Sequence, residues 1–444
     1  MRLIALPLLL LLAACASSGD TASVPPPMPS PIDAAPPPPP PPPPTTFAAP
    51  GPGGNSNIVN QQVANPTEAG FRVYMDKMRN FAPSRGITEA TWDTAMTGVS
   101  MNRKSIELSA PGGGGMGRVS SYLARIDASL VTRGRNALAE NAALLNKVGR
   151  DTGVDPAAIA GIWGNETSYG NVLGNFYVVE ALASLAYEGR RRSYFEDEMF
   201  AALTLLQQGL ATRAELTGSY AGALGQVQFM PSNILKLGVD GDGDGERDLR
   251  GSLADAFYSC ANYLLSHGWR VGEPWLAEAR LPSNFRWEYA GPDITMTAAE
   301  WDSMGVTTAD GRRLSGMVGA DAQISVLLPG GWRGIPMIAF PNYRRFLDYN
   351  PSQSYAIAVS HLANRVKGGG DWRAGWPADL QGMTSADLKA MQGALIELGY
   401  DVGVDGRFGD KTRKAVRAYQ ISVGVPADGY PTQSLLARLR GRVS

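Results

Sequence analysis

The chain has 444 residues, two His, two Cys and a formal net charge of −1. A length past the ~250–300 residues of one core implies more than one domain, and near-neutral charge argues against a nucleic-acid binder. Two histidines are too few for a multi-His metal site, so chemistry must rest on carboxylates, amides, hydroxyls and tyrosines.

Arg2, an apolar run over 3–14 and small residues before Cys15 read as a secretory signal. The run is shorter than the ~20 apolar residues that span a bilayer. Leu12-Ala13-Ala14-Cys15 resembles the lipobox of bacterial lipoproteins. That resemblance implies a signal peptide over 1–15, lipid on Cys15 and a membrane anchor. Ala16, where an Asp would retain the protein, implies the periplasmic face of the outer membrane. Cys260 then has no disulfide partner. Of the 32 prolines, 16 lie between residues 25 and 52. Such a tract is neither helix nor central strand, and 16–65 reads as a disordered, Pro-rich tether. Polyproline geometry over 25–44 alone spans about 60 Å.

Helical spacing dominates from 66 to about 277. Phe71, Met75, Met78 and Phe81 lie three and four apart, one helix face. Similar patterns cover 118–131, 137–149, 156–168, 178–188 and 193–209, with a glycine break over 112–115. The segments 323–328 and 335–340 predict short strands. A helix over 352–367 precedes Gly368-Gly369-Gly370, which marks a boundary. The expected fold is mainly α: a lysozyme-like α+β domain over 66–376 with a small β-containing subdomain, then a three-helix module over 380–444.

Asp155-Pro156 is a helix start, with an acid at the N-cap and Pro at N1. Ile159, Ile162, Trp163 and Glu166 follow on one stripe. Burial and the negative end of the helix dipole both raise the pKa of Glu166, as a general acid near neutral pH requires. A glutamate so placed is either an acid or a partner for a buried polar group, and spacing alone does not separate the two.

The segment Gly161-Ile162-Trp163-Gly164-Asn165-Glu166-Thr167-Ser168-Tyr169-Gly170 resembles the G-x-x-x-x-E-T-x-x-G block of the lytic murein transglycosylase B family. Residues 219–232, SYAGALGQVQFMPS, resemble its second block. Ala261-Asn262-Tyr263-Leu264 with His267-Gly268-Trp269 matches a third, and Tyr349-Asn350 with Tyr355-Ala356-Ile357-Ala358-Val359 matches the end of the domain. Pro351 departs from the pattern. The resemblance implies cleavage of the β-1,4 bond between N-acetylmuramic acid and N-acetylglucosamine in peptidoglycan, with a 1,6-anhydro product and no external cofactor. It implies that Glu166 acts first as acid and then as base. Ser219, Gln228, Tyr263, Tyr349, Asn350 and Tyr355 would contact the sugars. Trp163 and Trp269 read as core, and His267 as a helix cap.

The loop Asp240-Gly241-Asp242-Gly243-Asp244-Gly245-Glu246-Arg247-Asp248 fits the first nine positions of an EF-hand, with Gly at the sharp turn. Position 12 is Gly251 instead of an acid, and Asp255 is the candidate that completes the shell. Asp240, Asp242, Asp244, Glu246, Asp248 and Asp255 are thus candidate ligands of a structural Ca²⁺, where the alternative is a solvated Asp/Gly turn.

In the terminal module Leu388, Met391, Leu395 and Leu398 form a stripe after the N-cap candidate Ser385. Asp405-Gly406 is echoed by Asp428-Gly429. This resembles the three-helix peptidoglycan-binding domain, which implies tethering to glycan strands. Two rival readings remain at this point: a hydrolytic muramidase, and a non-catalytic wall-binding lipoprotein.

Overall fold

The computed structural model describes residues 62–110, 115–116 and 119–443. The signal peptide, Cys15, the proline tract and glycines 112–114 lie outside the described residues. The expected tether ends early. Gln62 Nε2 donates to the Glu188 carboxylate at 2.8 Å, and the Val63 amide donates to the Glu188 carbonyl at 2.8 Å. The chain is therefore pinned to the body before residue 66.

The helix Pro156–Thr167 is the centre of the main core. The Asp155 carboxylate accepts from the Ala157 amide at 2.9 Å, and Pro156 gives up an N–H that had no intrahelical partner. The expected single stripe is too narrow a description: every residue from Ala157 to Gly164 is buried, because other helices cover all sides. Helix Gln353–Val366, capped by Ser352, lies alongside it. Gly161 allows that approach, since a Cβ there would stand 2.8 Å from the Val359 carbonyl oxygen. Helix Leu253–Ser266 packs on another side through Phe257, whose ring centre is 5.0 Å from that of Trp163.

Two expected helices are divided differently. The pattern over 118–131 splits into Val119–Leu123 and Ala128–Glu140, because the Asp127 carboxylate accepts from the Leu130 amide at 2.7 Å and starts a new helix. The pattern over 137–149 breaks at Asn141, ahead of Ala142–Thr152. Phe81, expected on a buried face, is exposed.

Five short antiparallel strands form the subdomain sheet, in the order Met296–Thr297, Gln323–Leu327, Met337–Ala339, Leu276–Arg280, Thr307–Thr308. Val326 opposes Ile338 and Leu327 opposes Met337. Side chains alternate between faces. Ile324, Val326 and Ile338 point to a subdomain core around Trp301, while Leu327, Met337 and Ala339 join the main core. Burial on both faces explains the unbroken apolar run in the sequence.

The terminal module is three helices, Ser385–Glu397, Asp410–Ser422 and Gln433–Val443. Thr384, not Ser385, is the first cap, in a capping box with Asp387. The sequence echo is a structural one. Gln392 Nε2 donates to Asp405 and its Oε1 accepts from the Gly406 amide; Gln420 does the same with Asp428 and Gly429. The module docks on the body: the Trp332 amide donates to Asp428 at 2.7 Å, and Arg417 donates to the Ala290 carbonyl at 2.6 Å. The pair Gly115–Met116 with Met383–Thr384 adds a two-stranded contact.

Candidate active site

Glu166 stands in the last turn of Pro156–Thr167. The helix stops at Ser168 (φ 52°) and Tyr169 (φ 61°), just ahead of Gly170. Two consecutive non-glycine residues in the left-handed region are costly, and such strain marks sites that the surroundings over-determine. Thr167 Oγ1 donates to the Gln226 carbonyl at 2.8 Å, and Trp163 Nε1 donates to Gln226 Oε1 at 2.8 Å. Gln226 Nε2 in turn donates to the Arg250 carbonyl at 3.0 Å. Gln226 thus ties the glutamate turn to the second block and to the end of the acidic loop. Sequence reasoning missed it, because a glutamine between Gly225 and Val227 has no distinctive pattern.

Protein crowds the Glu166 carboxyl, although the residue keeps some exposed surface. The Tyr355 hydroxyl donates to Glu166 Oε1. Burial pushes the carboxyl up to about 7, and the Tyr355 hydrogen bond and the charge of Arg125 restrain the rise. Tyr349 stacks parallel to Tyr355, ring centres 6.4 Å apart, and donates to the Val227 carbonyl at 2.6 Å. Tyr263 lies 4.8 Å from Tyr349 and donates to the Asp348 carbonyl at 2.7 Å. Burial, then the charges of neighbouring acidic groups, raise the pKa of Tyr349 and Tyr355, so both remain hydroxyl donors. Cys260 is buried, and burial and the charge of Glu166 keep its thiol protonated.

The second block folds into a tight hairpin. Leu224 and Phe229 exchange backbone hydrogen bonds at 2.7 and 3.0 Å. Gly225 (φ 74°) is required there, since a Cβ would lie 2.3 Å from the Leu249 carbonyl oxygen. Gln228 is the third non-glycine residue with a left-handed φ, 53°, among the described residues. Its Nε2 donates to the Gly225 carbonyl at 3.0 Å, and Ser219 Oγ accepts from the Ala223 amide at 2.9 Å. Both side chains bond within their own loop and not to Glu166. Asn350 is exposed at the end of helix Pro341–Tyr349. The structure therefore joins Glu166, Tyr355, Tyr349, Tyr263 and the 227–229 backbone in one cluster. His267 caps its helix as expected, with Nδ1 2.7 Å from the Tyr263 carbonyl.

Of the six candidate metal ligands, Asp240, Asp242 and Asp244 bring carboxylate oxygens within 4.8 Å of one another. Oxygen donors of this kind suit a hard cation such as Ca²⁺. Asp255 is fully buried and accepts from the Gly241 and Asp248 amides, both at 2.8 Å, so it shapes the loop. Asp248 accepts from the Arg250 and Gly251 amides at 2.9 Å. The charges of Glu215 and the neighbouring acids raise the pKa of Glu246. A side chain at position 251 has no room, since a Cβ would meet Asp248 Oδ2 at 2.2 Å.

A cavity of ≈1120 Å³ lies elsewhere. It is bordered by Asp155, Trp269, Trp275, Glu278 and Lys367, at the N-terminal end of the helix that carries Glu166. At 1.5 Å per residue this is about 17 Å from Glu166, which does not line it.

Residues 70–364 match the profile of the transglycosylase SLT domain, and residues 384–439 match that of a peptidoglycan binding domain. The membrane-bound lytic murein transglycosylase B of Escherichia coli K12 is 35% identical over 234 residues, which are 50% of this chain and 60% of that protein. SltB3 from Pseudomonas aeruginosa, in complex with NAG-anhNAM-pentapeptide, superposes with a TM-score of 0.80 at 41% identity, covering 83% of this chain and 99% of that one. The Escherichia coli lytic transglycosylase Slt35 in complex with bulgecin A gives 0.56 at 27% identity, covering 70% and 97%. Slt35 has also been solved in complex with calcium.

Proposed function

Because the chain belongs to the transglycosylase SLT domain family, we propose that it is a peptidoglycan lytic transglycosylase that cleaves the β-1,4 bond between N-acetylmuramic acid and N-acetylglucosamine without water. The observation that carries this reading is Glu166, a crowded carboxyl that accepts from the Tyr355 hydroxyl and that burial pushes up to about 7; among the described residues no other carboxylate hydrogen-bonds to this cluster. A hydrolase of the usual kind needs two carboxylates flanking the bond.

Protonated Glu166 gives its proton to the glycosidic oxygen, the bond from that oxygen to the muramic C1 breaks, and the N-acetylglucosamine leaves as an alcohol. The 2-acetamido carbonyl stabilises the positive charge left at C1. The Glu166 carboxylate, held by Tyr355, then takes the proton of the muramic 6-hydroxyl. That oxygen bonds to C1, closing the 1,6-anhydro ring and restoring the protonated acid. Ser219, Gln228, Tyr263, Tyr349, Asn350 and Tyr355 contact the sugars. The anhydro-muramyl ligand named in the Pseudomonas aeruginosa complex supports this product class.

Asp240, Asp242 and Asp244 hold a structural Ca²⁺ whose charge offsets their mutual repulsion. The enzyme is lipidated at Cys15 on the periplasmic face of the outer membrane. The 16–65 tether, whose last residues already pack on the body, lets the catalytic domain, 66–376, reach the wall, which the 380–444 module holds. Glu166→Gln tests the assignment: digestion of purified sacculi drops at least about a hundredfold in a folded variant. Wild-type digestion by Glu166→Gln would overturn it.

A further inference from the structure

Arg125 occupies the turn between helices Val119–Leu123 and Ala128–Glu140. Both helices pack on Gln353–Val366, which carries Tyr355, and the longer also packs on Pro156–Thr167, which carries Glu166. The side chain is exposed, yet it is held. Its guanidinium lies 3.9 Å over the Tyr122 ring, and Nε donates to the Tyr122 carbonyl at 3.4 Å. Among the described residues no carboxylate pairs with it, and the residue is exposed. Its charge nevertheless reaches Glu166 and works against the protonated form. A preorganised cation that opposes a neighbouring acid has a use if substrate neutralises it.

We propose that Arg125 is a specificity-determining residue that pairs with a carboxylate on the muramic-acid side of the substrate, an inference that rests on the wall-cleaving reading above. A planar guanidinium matches a carboxylate in two parallel hydrogen bonds, whereas sugar hydroxyls offer no such match. The glycan backbone itself is neutral. Its carboxylates come from two sources: the peptide arms or, where an arm has been removed, the freed lactyl group.

The test measures kcat/KM of wild type, Arg125→Ala and Arg125→Lys on three substrates: peptide-bearing strands, amidase-treated peptide-free strands, and peptide-bearing strands whose carboxylates have been amidated with carbodiimide. Amidation lowers wild-type kcat/KM about tenfold, mainly through KM, the size expected of one half-exposed charge-assisted pair. It lowers Arg125→Ala less than about twofold, because the partner is already gone. Arg125→Lys, which keeps the charge but not the fork, falls between. A larger Arg125→Ala deficit on peptide-bearing strands assigns the carboxylate to the arm, and a larger one on peptide-free strands assigns it to the lactyl group. An equal amidation factor in wild type and Arg125→Ala overturns the inference alone. A wild type that cleaves none of the substrates overturns the wall-cleaving reading and this inference with it. Unchanged melting temperatures check that the exposed site leaves the fold intact.

Discussion

Tyr355→Phe removes one hydroxyl, and the structure fixes the sign of its effect. That hydroxyl donates to Glu166 Oε1 and favours the carboxylate, so it pulls the Glu166 pKa down against burial. Removing it lets the pKa rise above about 7. A hydrogen bond to a charged group contributes about 1.5–3 kcal/mol, and the partly exposed carboxyl calls for the low end, about 1.5 kcal/mol or roughly one pKa unit. An acid must be protonated to work, so the wild-type kcat/KM falls as pH rises through about 7. In Tyr355→Phe this alkaline limb moves up by about one unit. On the acid side of both limbs the variant is about tenfold slower, because the carboxylate formed as the bond breaks has lost its donor. The assay is release of soluble muropeptides from purified sacculi across the pH range. An alkaline limb that stays in place, or moves down, would refute the assignment of Tyr355 as the donor that tunes Glu166.

The same shift has a consequence for stability. The folded pKa of Glu166, about 7, lies above its ordinary 4.5, so the contribution is present at low pH and is lost as pH rises through 7. The full difference is roughly 3 kcal/mol, and partial exposure reduces it to about 2. Glu166→Gln therefore melts a few degrees above wild type well on the alkaline side of 7, with the gap closing in acid; a gap that widens in acid contradicts the reasoning. Ca²⁺ at a hundredfold excess over Kd stabilises wild type by about 2.7 kcal/mol, read as a higher melting temperature, while Asp242→Asn abolishes the rise; calorimetric titration without heat would reject the site. Gly161→Ala forces a Cβ to within 2.8 Å of the Val359 carbonyl oxygen and costs about 1–3 kcal/mol, read as a lower urea midpoint with an unchanged slope.

Much of this site is written locally. Asp155-Pro156 starts the glutamate helix because an acid cap and an N1 proline are local chemistry. The Asp405/Asp428 echo survives as two copies of one hydrogen-bond pattern, because Gly at each turn takes the left-handed φ (71° and 69°) of a turn whose amide donates to a glutamine. What stayed hidden depends on distant partners. The apolar spacing over 118–131 gave no sign of the break that Asp127 imposes, and with it went the position of Arg125. Gln226 serves Trp163, Thr167 and Arg250 at once, which no spacing within its own loop reveals. Asp255 read as a metal ligand from its place after the loop, whereas it is buried under two backbone amides. Only the fold shows which partner each polar group meets first.

In the proposed mechanism the muramic 6-hydroxyl, and not water, attacks C1 once Glu166 has protonated the leaving oxygen. Digestion of sacculi in heavy-oxygen water tests it directly, with mass spectrometry of the released ends. The expected ends are anhydro-muramyl, with no solvent oxygen at C1. Reducing muramyl ends carrying the heavy oxygen would contradict it.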